Sequence, residues 1–160
     1  MAYQMTNKLI KNNKIFLITP SPTNESITNY IDILEKEKIN LVIKATKDAL
    51  YDPEIYKMHN IDYIELDFDD GTIPSDIIIK KILKIIEKYN YICVHCKAGL
   101  GRAPLLVTLM IMFEFNLKPE DAIIEVKKSV PKAFNSKQLN FLYNFKKDIY
   151  IKKQKRCIIC

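Results

Sequence analysis

Five residues separate a cysteine from an arginine in the run His95-Cys96-Lys97-Ala98-Gly99-Leu100-Gly101-Arg102, which holds two of the chain's 3 glycines. An apolar stretch, Tyr91-Ile92-Cys93-Val94, precedes it, and the apolar run from Ala103 to Phe113 follows it. A loop between a buried strand and the start of a buried helix turns backbone N–H groups inward. It also lies at the positive end of the helix dipole, a setting that suits a dianionic phosphate. Glycines at 99 and 101 permit positive φ angles and a close backbone approach. The phosphate cradle is therefore expected from Lys97, Ala98, Gly99, Leu100, Gly101 and Arg102, with the planar guanidinium of Arg102 binding two phosphate oxygens. Cys96 lies at the base of this cradle, where the same field favours a thiolate, and a thiolate beneath a phosphate monoester is a nucleophile aimed at phosphorus.

A departing alkoxide or phenoxide then needs a proton. Asp70, in a separate loop containing Asp69-Asp70-Gly71, is the best placed acid, with Asp69 and Asp67 as rivals and a plain solvated loop as the alternative. Gly71 leaves that loop free to move. Cys93, His95 and Cys96 also admit a zinc reading, but alternate residues of a strand face opposite ways and no second ligand pair exists, so neither a metal nor a cofactor is expected. Cys93 reads as a buried residue. His95 is expected to hydrogen-bond the loop backbone and hold Cys96 in place.

The elements that must carry these groups are legible. Lys14 to Ile18, Leu41 to Ile43, Ile61 to Leu66 and Tyr91 to His95 read as strands. Between them, helices are expected from a Thr23 or Asn24 cap to about Lys38, briefly after Asp52-Pro53, and from Asp76 to Tyr89. After the apolar helix at 103–113, Lys118-Pro119-Glu120 opens another. Ser136 is expected to cap the last, which runs on into the C-terminal segment. Alternating strands and helices imply one α/β domain with a mostly parallel sheet. Both glycine-containing loops follow strands, at the strand ends where open α/β sheets bind ligands.

Composition narrows the function. The 160 residues are 48% hydrophobic and 28% charged, which fits a globular chain and argues against disorder. The formal net charge is +6, yet six basic residues and one acid between Lys146 and Arg156 supply +5 of it, leaving +1 for the rest. The charge belongs to a tail, so no nucleic-acid partner is expected. The domain is accordingly read as residues 1–145, followed by a polybasic tail at 146–160. No signal peptide is visible, and the spacing of Cys93, Cys96, Cys157 and Cys160 does not suit a disulfide framework, so a reducing compartment is expected. Cys157-Ile158-Ile159-Cys160 reads as a prenylation box, making Cys157 the lipidation site; incidental cysteines on a basic helix end are the alternative. A single prenyl chain binds membranes marginally, and the adjoining basic run supplies the second signal toward an anionic leaflet.

These features together resemble the phosphatases of regenerating liver, the prenylated type IVA protein tyrosine phosphatases. The resemblance spans most of the chain: Phe16 to Thr19, Pro22-Thr23-Asn24, Asp48-Ala49, Tyr51-Asp52, Phe68 to Gly71, Val94-His95-Cys96, Ala98 to Pro104 and Ala133 to Leu139. It implies a cysteine-phosphatase fold of the dual-specificity type, Cys96 as nucleophile, Arg102 as phosphate binder, Asp70 as general acid and a farnesylated Cys157. It further implies phosphorylated protein or phosphoinositide substrates, a prenyltransferase partner and a homotrimer at the cytoplasmic face of membranes. A second role implied is pocket-mediated binding to cyclin-M-type magnesium transporters. Ala103 stands where most cysteine phosphatases carry a Ser or Thr whose hydroxyl stabilises the departing thiolate. Slow turnover and a persistent phosphocysteine are therefore expected. Lys47 replaces the cysteine that can pair with the nucleophile in this family, so no reversible disulfide at Cys96 is expected.

Overall fold

The structure is a computed structural model and describes residues 6–158, with side chains described as far as residue 152. The side chains of the prenylation box, Cys157 to Cys160, thus lie outside what is described. Five strands form one sheet in the order β1-β2-β5-β3-β4: β1 Asn7–Lys11, β2 Lys14–Pro20, β3 Leu41–Lys44, β4 Asp62–Glu65 and β5 Tyr91–Cys96. All pairings are parallel except β1 with β2. β1 was not expected from the sequence. Its Asn7-Lys8-Leu9-Ile10-Lys11 buries only Leu9, so it lacks a clear alternating pattern, and what places it is the turn at Asn12, with φ 51°. Asparagine tolerates such a turn, and a two-residue loop closes the hairpin.

Among the described residues there are seven helices: α1 Ile27–Lys36, α2 Glu54–Met58, α3 Asp76–Lys88, α4 Arg102–Glu114, α5 Pro119–Ser129, α6 Ser136–Tyr143 and α7 Lys147–Ile158. Two cores result. One joins Phe16, Ile18, Ile43 and Val94 of the sheet to α3, α4 and α5; the other joins Leu17, Val42 and Cys93 to α1 and α2. α4 is buried on nearly every side, and its Thr108 hydroxyl donates to the Pro104 carbonyl at 2.7 Å, which satisfies that buried hydroxyl.

Three local expectations are corrected. Ser26, not Thr23 or Asn24, occupies the N-cap of α1, because the Thr23 N–H donates to Ser26 Oγ at 2.9 Å and folds the preceding turn. Asn135, not Ser136, caps α6, in a reciprocal capping box with Gln138. The last helix does not run unbroken into the tail. The chain breaks after Tyr143 and restarts at Lys147, where Phe145 drops inward to meet Phe113 and stack on Tyr150.

Candidate active site

Cys96 is the final residue of β5 and Arg102 the first of α4, so the strand-to-helix turn between them forms the loop expected from sequence. Cys96 is 3% exposed, while Lys97, Ala98 and Leu100 of the loop face solvent. Gly99 has φ +71°, and a Cβ there would come within 2.9 Å of the Thr19 and Pro20 backbone. Only glycine fits. Gly101 differs from expectation: its φ is −119°, which any residue adopts. What it supplies is room beside Gln138, whose amide would lie 3.3 Å from an added Cβ.

Arg102 is fixed by its surroundings. Its side chain is 5% exposed, and Nη1 donates to the Phe68 carbonyl at 3.2 Å. Nε lies 3.3 Å from Asp70 Oδ1, an ion-pair approach without an aligned hydrogen bond. A buried guanidinium N–H lacking an aligned acceptor is suited to a phosphate oxygen. The acid loop is thereby brought against the cysteine loop, and of its carboxylates it is Asp70 that faces the arginine. Asp69 turns the other way, pairing with Lys47 Nζ at 2.8 Å, which holds its pKa below the usual carboxylate range. A cleft of about 390 Å3 opens between the two loops and α6, lined by Asp70, Gly71, Leu100, Gly101, Lys132, Phe134, Asn135 and Gln138, with Cys96 and Arg102 outside its lining.

His95 does not hold the loop backbone through its side chain, as was expected. Its Nε2 meets the Tyr51 hydroxyl at 2.6 Å, and it is the His95 carbonyl that accepts from the Ala45 N–H at 2.8 Å. Burial, then the charge of Lys44, pushes the His95 pKa down to about 3, so the ring is neutral at pH 7. Burial raises the Tyr51 pKa, so the contact joins a protonated hydroxyl to a neutral ring. Tyr51 belongs to the long loop after β3 and gave no sequence signal of this role.

Cys93 lies in the opposite core from Cys96, with its sulfur 3.0 Å from the Tyr30 hydroxyl. Burial pushes its thiol up to about 11, which suppresses thiolate chemistry. Three residues of extended strand separate the two α-carbons by roughly 10 Å, beyond the ~7 Å limit for a disulfide.

Comparison with known proteins agrees with this geometry. Residues 23–148 match the family model described as dual specificity phosphatase, catalytic domain. The chain is 33% identical over 160 residues to protein tyrosine phosphatase type IVA 3 of Bos taurus, covering 92% of this chain and 91% of that one. It is 35% identical over 140 residues to protein tyrosine phosphatase type IVA 2 of Mus musculus, covering 84% and 83%. A solved protein tyrosine phosphatase structure from Leishmania major, 26% identical, superposes with a TM-score of 0.76 over 88% of this chain and 99% of that one. With its sheet, its cysteine loop and these relatives in agreement, the chain belongs to the type IVA protein tyrosine phosphatases, cysteine-dependent enzymes of the dual-specificity class.

Proposed function

We propose that this phosphatase works through Cys96, Arg102 and Asp70, turns over slowly, and is tethered to membranes by its tail. The Cys96 thiolate attacks phosphorus; an S–P bond forms while the P–O bond to the leaving group breaks, and Asp70 delivers its proton to the departing oxygen. Arg102 and the loop amides take up the charge on the phosphoryl oxygens. Water then attacks the phosphocysteine, Asp70 receiving its proton, and phosphate leaves as the thiolate returns. The observation carrying this reading is the buried Arg102, tied to the Phe68 carbonyl and facing Asp70.

Ala103 supports the slow second step, since it offers the departing thiolate no hydroxyl. Losing one such donor costs roughly 10²–10³ in rate. Mixed with an activated aryl phosphate, the protein should give a product burst and a phosphoryl mass adduct, both absent in Cys96→Ser. Ala103→Ser should shorten the adduct's lifetime by roughly 10²–10³-fold. A small burst followed by fast steady turnover would remove the slow-step reading.

The tail supports a prenyl anchor at Cys157 reinforced by its basic run. Farnesylated full-length protein should bind vesicles containing phosphatidylserine and detach as salt rises. Salt-independent binding would refute the electrostatic half of the anchor.

A further inference from the structure

The acid loop is held by more than the cysteine loop. Between β4 and α3 the chain turns sharply at Asp69–Thr72, where the Thr72 N–H and hydroxyl both donate to the Asp69 carbonyl, at 3.1 and 2.6 Å. This leaves the Gly71 and Thr72 carbonyls pointing outward, and each receives a side-chain amide from the first turn of α6. Asn135 Nδ2 donates to Gly71 O at 3.0 Å, and Gln138 Nε2 donates to Thr72 O at 3.2 Å. Both amide orientations are forced by chemistry. Asn135 Oδ1 accepts the Gln138 N–H at 2.8 Å, and Gln138 Oε1 accepts the Asn135 N–H at 3.1 Å. Each side chain thus spends its oxygen on its own helix cap and its nitrogen on the acid loop.

The same turn also grips the cysteine loop. The Phe134 N–H donates to the Leu100 carbonyl at 3.0 Å, and the Gln138 side chain, 1% exposed, packs beside Gly101. Asp70 immediately precedes Gly71 and faces Arg102, so one helix terminus sets the two loops against each other across the cleft. We infer that Asn135 and Gln138 are positioning residues that hold Asp70 in place for proton delivery, an inference that rests on Asp70 being the general acid. A cap alone needs only their oxygens; positioning needs their N–H groups.

Asn135→Asp and Gln138→Glu separate the two roles, because each keeps the capping oxygen and removes the donor. The readout is kcat/KM, which covers steps up to phosphocysteine formation and so is insensitive to slow hydrolysis. Phenyl phosphate, a poor leaving group, and an activated coumarin phosphate are compared across pH. Gln138→Glu should lower the phenyl-to-coumarin ratio about tenfold, equivalent to about 1.4 kcal/mol, and Asn135→Asp should lower it in the same direction. Both should flatten the basic limb of the phenyl phosphate profile, which reports the acid's proton. In an Asp70→Asn background, neither change should lower the ratio further, since residues acting through one group are non-additive. If Asp70→Asn lowers the ratio and the amide variants do not, or lower both substrates equally, the positioning role is overturned and Asp70 keeps its role. If Asp70→Asn itself leaves the ratio intact, the general-acid reading fails and takes this inference with it.

Discussion

At Gly99 and Gly101, two glycines that look equivalent in sequence do different work. Gly99 alone occupies the left-handed region and lies against the Thr19–Pro20 backbone. Gly99→Ala must bear both the positive φ, about 1 kcal/mol or more, and a clash that rigid backbone cannot relieve. It should abolish vanadate binding, measured by competition. Gly101→Ala meets only the end of a glutamine side chain and should retain most of that affinity. His95 illustrates a different residue effect. Its folded pKa of about 3 lies below the unfolded value of ~6.5, so between those pH values the unfolded chain binds more protons. Stability therefore falls as pH drops below about 6.5 and is unaffected by this group above it. Urea unfolding at pH 5 and pH 7 should show a larger acid loss for the native chain than for His95→Gln. Equal losses would mean that the ring is not held neutral. The exposed Lys47–Asp69 pair is screened by solvent and adds little to stability. It orients the loop without anchoring it.

Among the elements, α4 does the most to place the site, because its first residue is Arg102 and its body is the centre of the larger core. Leu106→Ala and Leu109→Ala each remove a fully buried side chain. Each should cost about 2–5 kcal/mol in chemical denaturation, against almost nothing for Ile124→Ala on the exposed face of α5, where the side chain is 57% exposed. α6 is the counterpart on the other side of the cleft. It is only 8 residues long, too short to be stable alone, and its cap is the part that meets the loops. β5 links the pair, delivering Ile92, Val94 and Cys96 toward α4 while Cys93 faces α1.

For the molecule as a whole, the parallel β2, β5, β3 and β4 all end on the side where the acid and cysteine loops emerge, so two loops far apart in sequence meet. The tail is tied to that arrangement as well. Tyr150 of α7 stacks on Phe145 and donates to Asp76 Oδ1 at 2.6 Å, at the start of the helix that follows the acid loop. No helix among the described residues is long and apolar enough to cross a membrane.

What the sequence determined by itself was local. The strand–loop–helix around Cys96 and Arg102, the order of strands and helices and the charged tail are all written in neighbouring residues, where periodicity and backbone sterics act. β1 escaped because a weak pattern becomes a strand only once β2 offers it hydrogen bonds. The α6 cap was open to reading in the spacing of Asn135 and Gln138, the capping-box signature, but Ser136 beside it is an equally good cap by type. That Asp70 faces Arg102 while Asp69 pairs with Lys47, the Tyr51–His95 pair and the double use of the Asn135 and Gln138 amides are set only by tertiary structure. Each joins residues 44 to 66 positions apart or turns on which of two adjacent carboxylates faces a distant cation. Nothing in a local stretch of chain encodes that distance, because only packing of the sheet against its helices sets it.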